Sequence, residues 1–156
     1  MKSKERSILE KAITPLLKQF GYKKSGTTWY YDTTCFVKVL NIQRSQWSKS
    51  YYINLGIYLK SLDTKEKPQE YDCHVRTRLT EISNNPNFCS KLLDFENEIS
   101  EVERLEGILR MLKTEALPWL ERYSNEEELS KLLQSGQKGL KVTKNVWPHF
   151  GLNMTY

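Results

Sequence analysis

Arg76 and Arg78 stand two residues apart in the run Tyr71-Asp-Cys-His-Val-Arg-Thr-Arg-Leu79, with His74 two residues ahead of them. Tyr52, Asn54 and Tyr58 share one parity in the run Ser50-Tyr-Tyr-Ile-Asn-Leu-Gly-Ile-Tyr-Leu59. If both runs are strands, each set falls on a single face, because successive strand side chains point to opposite sides. Asn41 and Gln43, in Val39-Leu-Asn-Ile-Gln-Arg44, join the same face in one of two registers. Guanidinium, phenol and amide groups bind anions and stack on planar groups. Gly56 leaves a gap in the middle of such a face, where a ligand or a backbone can approach. The candidate site is therefore a polar, basic and aromatic surface of Asn41, Gln43, Tyr52, Asn54, Tyr58, His74, Arg76 and Arg78. The plainer alternative is a solvated sheet face, or one covered by the C-terminal tail with its arginines paired to acidic groups.

Other chemistry is poorly supported. Cys73 and His74 suggest a nucleophile and its base, but neighbours on one strand face opposite ways and cannot form a dyad. The chain has two His, the other being His149, and its three Cys are dispersed, so no metal site is expected. Glu101, Glu103 and Glu106 are explained by helix capping and solvation rather than by paired-carboxylate catalysis. The seven Gly are scattered and make no phosphate-binding loop. No catalytic residue and no cofactor is expected, and an enzyme ranks third among the functional readings.

Strands must carry the candidate surface. Thr34 to Leu59 reads as an antiparallel pair joined across the polar break Ser45 to Lys49. In its second half Tyr51, Ile53, Leu55, Ile57 and Leu59 alternate with Tyr52, Asn54, Gly56 and Tyr58, and the first set is expected to be buried. Trp29 to Tyr31 forms a short strand before this pair. Cys73 to Leu79 forms a fourth after it, with Cys73, Val75, Thr77 and Leu79 on the buried side. Lys23 to Gly26 reads as a basic link, and Lys60 to Tyr71, carrying Pro68, as an exposed loop.

Helices flank the strands. Ile8, Leu9, Ala12, Ile13, Leu16, Leu17 and Phe20 make one helical stripe that ends at Gly21. Pro15 should kink that helix or start a second segment capped by Thr14. Asn84-Asn-Pro-Asn87 is turn chemistry, and Phe88 to Phe95 is either a short helix or irregular. Ser100-Glu-Val-Glu103 reads as a capping box opening a long helix through Tyr123, bent near its end by Pro118. Ser124-Asn-Glu-Glu127 reads as a second box, before a helix that buries Leu129, Leu132 and Leu133 and stops at Gly136. Val142, Val146, Trp147, Phe150, Leu152 and Met154 are too many apolar side chains to leave in water, so the tail should dock. The expected fold is one α+β domain over 1–156. It comprises an N-terminal helix (1–21), an antiparallel sheet of about four strands (27–82), C-terminal helices packed on it (100–136) and a docking tail (137–156).

A chain of 156 residues with 38% hydrophobic and 28% charged residues can bury a core without metals or disulfides. Three cysteines suggest structural thiols in a reducing compartment. No secretory leader or spanning segment is read, so a cytoplasmic protein without a membrane partner is expected. Residues 1–60 carry 11 Lys/Arg against 3 Asp/Glu, and residues 61–156 carry 13 against 16. The balance of +8 against −3 points to an anionic partner for the first part, or to solvated helix faces.

The chain resembles a bacterial family known as domain of unknown function number 4304. The resemblance rests on Ile13-Thr-Pro-Leu-Leu17 with Phe20-Gly-Tyr-Lys23, Val39-Leu-Asn-Ile-Gln-Arg44, Tyr52-Ile-Asn-Leu-Gly56, Tyr71 to Leu79 and Ala116-Leu-Pro-Trp-Leu120. It runs from the first helix to the second capping box. It implies a small stand-alone protein suited to immunity or accessory roles and supplies no catalytic residue. The leading expectation is a non-enzymatic interaction protein that binds a protein partner, a bacterial toxin in its most concrete version. The alternative is nucleic-acid binding by the same face, as when aromatic and basic residues on a four-stranded sheet stack bases.

Overall fold

A computed structural model describes residues 3–154; Met1 and Lys2 of the expected N-terminal helix and Thr155 and Tyr156 of the expected tail lie outside the described residues. Six strands form one antiparallel sheet in chain order: β1 (Lys23–Ser25), β2 (Thr28–Asp32), β3 (Phe36–Arg44), β4 (Tyr51–Leu59), β5 (Val75–Arg78) and β6 (Lys141–Val142). The α+β class, the N-terminal helix and the C-terminal helices are as expected. The two additional strands are short edge pieces. Lys23–Ser25 is not a link but a strand, because Gly26 (φ +63°) supplies the tight turn that folds it back on β2 with Ser25 opposite Thr28. Lys141–Val142 pairs with β5, Val142 lying opposite Val75.

Alternation in β4 assigns the two faces of the sheet. Tyr51, Ile53, Leu55, Ile57 and Leu59 join Trp29, Phe36, Leu40, Ile42 and Val75 in the main core. Helix α1 (Lys4–Gln19) packs there through Leu9, Ile13 and Leu17, all fully buried. Pro15 neither ends nor restarts this helix. Its missing hydrogen bond costs up to about 3 kcal/mol, whereas burying three aliphatic side chains contributes about 1.5–3 kcal/mol each, so burial prevails. The Thr14 hydroxyl, rather than capping a new segment, donates to the Glu10 carbonyl at 2.6 Å.

The remaining helices complete that layer: α2 (Leu79–Ile82), α3 (Pro86–Leu93), α4 (Glu101–Met111), α5 (Leu117–Tyr123), α6 (Glu126–Gln134) and α7 (Val146–His149). Ser100 caps α4 by accepting from the Glu103 amide. A π-helical turn, Leu112–Ala116, joins α4 to α5 immediately before Pro118, which has no N–H to give the preceding turn. The next cap is Asn125 rather than Ser124: Asn125 Oδ1 accepts from the Glu128 amide at 2.9 Å, and the Ser124 hydroxyl turns back to the Glu121 carbonyl. Buried Arg104 ties α4 to the end of α3 and the segment after it by donating to the carbonyls of Leu92, Asp94 and Asn97. In the tail, Val146 and Trp147 are buried against the body.

The second face of the sheet is divided. Residues 60–71, expected as an exposed loop, fold with Asp72 across one half of it and include a 3₁₀ turn, Glu70–Asp72. Beneath them Val37, Val39, Tyr58 and Cys73 form a small separate core, with Tyr30 at its margin. The other half is polar, and it is here that the candidate residues gather.

Candidate functional site

Strand register places one polar residue from each of four strands in a single row. Thr28 lies opposite Asn41, Asn41 opposite Asn54, and Asn54 opposite Arg78. Each member bonds to the next. Asn41 Nδ2 donates to Thr28 Oγ1 at 3.0 Å, Asn54 Nδ2 donates to Asn41 Oδ1 at 3.1 Å, and Arg78 Nε donates to Asn54 Oδ1 at 3.2 Å. Asn54 Nδ2 also donates to Gln43 Oε1 at 3.0 Å. With only 4% of its surface exposed, Asn54 is a buried amide whose hydrogen bonds are satisfied within the row.

Two further contacts set the arginines. The Arg78 guanidinium carbon lies 3.9 Å from the centre of the Tyr52 ring, so its Nε is committed and its plane is held. Among the described residues neither Arg78 Nη has a hydrogen-bond or ion-pair partner. Arg76 instead forms a two-pronged pair with Glu70, Nε to Oε1 at 2.9 Å and Nη2 to Oε2 at 3.1 Å, and this contact raises its pKa. One arginine is therefore electrically matched and the other is not.

Two clefts meet at that ion pair. One, of about 280 Å³, runs beside Arg78 and is closed by Glu81 and by Gly139, Leu140 and Lys141 of the tail. The other, of about 520 Å³, extends over Asn41 and Arg44 toward Arg6 and Tyr71. Both are lined by Gln43, Glu70 and Arg76.

Six of the eight sequence candidates are thus brought together: Asn41, Gln43, Tyr52, Asn54, Arg76 and Arg78. Tyr58 and His74 are not on this surface. Tyr58 is fully buried and His74 is 3% exposed, because residues 60–73 cover their half of the sheet. The Tyr58 hydroxyl accepts from the Lys65 amide at 2.9 Å, and burial raises its pKa. His74 Nδ1 accepts from the Leu59 amide at 2.9 Å, its ring packs 4.7 Å from that of Tyr58, and burial lowers its pKa. The gap expected at Gly56 is filled from within the chain: a Cβ there would meet Cys73 Sγ at 2.6 Å. Cys73 accordingly lies on the second face, not with Val75 and Leu79, since the strand begins only at Val75 and strict alternation does not reach back to Cys73. Burial pushes the Cys73 thiol well above its usual range, and its nearest polar partner is the Gln69 carbonyl at 3.7 Å. It is not paired with His74.

Sequence reasoning missed Glu70 and Glu81, which carry no periodic signal, and the tail residues that close the smaller cleft. It also missed Trp47 at the β3–β4 hairpin tip, which is 90% exposed; a tryptophan within an otherwise polar break was the available signal. No group of three or more His, Cys, Asp or Glu among the described residues is arranged to hold a metal ion. No described helix is long and apolar enough to cross a membrane.

A family model described as a domain of unknown function (DUF4304) matches residues 13–122. No curated protein matches the chain, and no solved structure does.

Proposed function

We propose that this chain, which belongs to the DUF4304 family of domains of unknown function, is a non-enzymatic binding protein that engages a protein partner through the polar half of its sheet. The observation that carries this reading is Arg78: its plane is fixed by Tyr52 and Asn54, and its terminal nitrogens have no partner among the described residues. A prepositioned guanidinium loses little freedom on binding. The amide row behind it gives the rigidity that recognition needs. An immunity-type role against a toxin in the bacterial cytoplasm is the most concrete version.

Nucleic-acid binding is the competing reading. It is disfavoured by the occupancy of the Tyr52 ring face by Arg78 and by the burial of Tyr58 and His74, which removes the aromatic platform on which bases stack. Co-expression with the product of the adjacent gene tests the first reading. A stable complex that is lost in Arg78→Ala is expected; absence of any complex, or one indifferent to this substitution, counts against it. Oligonucleotide titration at low salt tests the second, which requires binding that falls steeply with salt and weakens in Arg76→Ala and Arg78→Ala.

A further inference from the structure

We infer that the cleft beside Arg78 is a site for a single carboxylate group. This rests on the partner-binding reading above and names the chemistry that is recognised there.

Arg78 Nε is bonded to Asn54, so only the two Nη groups point onward. Presented end-on, they match the two oxygens of a planar carboxylate. Gln43 Oε1 is engaged by Asn54, while its amide nitrogen has no partner among the described residues and supplies a further donor to the same cleft. Thr77 does not add one, because its hydroxyl is already given to the Gly139 carbonyl at 3.0 Å.

Charge then selects among anions. The cleft is lined by Arg76, Arg78 and Lys141 and by Glu70 and Glu81, three positive groups against two negative. Arg76 and Glu70 satisfy one another. One positive charge is left over, which a monoanion neutralises. A doubly charged phosphate would place excess negative charge beside two glutamates.

Size points the same way. About 280 Å³ lies at the lower edge of ligand cavities and suits a small acid, a chain terminus or an acidic side chain. The wall is built for close packing: a side chain at Gly139 (φ +79°) would collide with Glu81, its Cβ only 2.5 Å from Glu81 Oε2.

The test is an NMR titration of the ¹⁵N-labelled full chain, following the arginine side-chain signals. Probes are acetate, N-acetylglycine (a chain terminus), N-acetylaspartic acid α-amide (an acidic side chain), N-acetylglycinamide and inorganic phosphate. Saturable shifts of the Arg78 signals are expected with the carboxylates and not with the neutral amide. Whether acetate, the terminus mimic or the side-chain mimic binds best identifies the source, and any of the three supports the site. Arg78→Gln should raise Kd by about tenfold or more, as should Arg78→Lys, which keeps charge but not the fork; Arg122→Gln should leave it unchanged. Retained amide dispersion in each variant shows that the fold persists. No saturable shift with any carboxylate, tighter binding of phosphate, or unchanged affinity in Arg78→Gln would overturn the inference. Loss of the partner complex in Arg78→Ala without carboxylate binding rejects the carboxylate and retains the partner reading. Carboxylate binding with a complex indifferent to Arg78→Ala does the reverse.

Discussion

The guanidinium of Arg78 sits over the ring of Tyr52, 3.9 Å from its centre. The two residues come from adjacent strands, one row apart, so the contact joins the amide row to the row behind it. Tyr52→Ala should cost about 0.5–1 kcal/mol of stability, as for a partly exposed cation–π pair, and should weaken binding at the cleft by releasing Arg78. Tyr52→Phe should preserve both. Urea unfolding beside the carboxylate titration separates these outcomes.

Asn54 is the junction of the row. Removing its amide leaves Arg78 Nε and the Asn41 and Gln43 oxygens without their shared partner. Asn54→Ala should therefore lower stability by about 1–3 kcal/mol, seen as a reduced urea midpoint at unchanged m. An effect below about 0.5 kcal/mol would show the row to be loosely formed.

Gly56 and Cys73 should be coupled. A methyl group at residue 56 would sit 2.6 Å from Cys73 Sγ and 2.9 Å from its Cβ, so the strand or residues 60–73 must shift. Gly56→Ala should cost about 1–3 kcal/mol, the usual penalty of overpacking, and much less in a Cys73→Gly background. Additive effects in a double-mutant cycle would refute the contact.

This pair also shows where sequence reading stops. The parity of residues 51–59 was legible because burial on one face imposes a period of two over a long strand, and Tyr52 and Asn54 follow from it; Arg76 and Arg78 follow from the alternation of the next strand, whereas Asn41 and Gln43 needed the register of β3 on β4. What covers each face was not legible. Residues 60–72 are polar and aperiodic, so nothing in their pattern announced that they shield Tyr58, Cys73 and His74. The pairing of Arg76 was anticipated only as a covered-face alternative, without its acid, which is Glu70 of this segment. β1 and β6, of three and two residues, are too short to show alternation at all.

Burial of His74 gives the protein an acid-sensitive point. Its pKa in the folded chain is lowered from 6.5, chiefly by desolvation, so below pH 6.5 the unfolded chain takes up a proton that the folded chain resists. The stability contributed by neutral His74 is fully present above pH 6.5 and is lost as pH falls from there through the folded-state value. Urea midpoints measured from pH 8 down to pH 5 should decline, and the decline should be shallower in His74→Gln. An identical slope in the variant would assign the loss to other groups.

The most direct test of the binding surface is site-specific photo-crosslinking in the source cell. A benzoylphenylalanine replaces either Tyr71, exposed at the larger cleft, or Glu103, exposed on α4. The account predicts a discrete protein adduct from residue 71 that disappears when Arg78→Ala is added, and none from residue 103. Adducts from residue 103 alone, or a residue-71 adduct indifferent to Arg78→Ala, would contradict it.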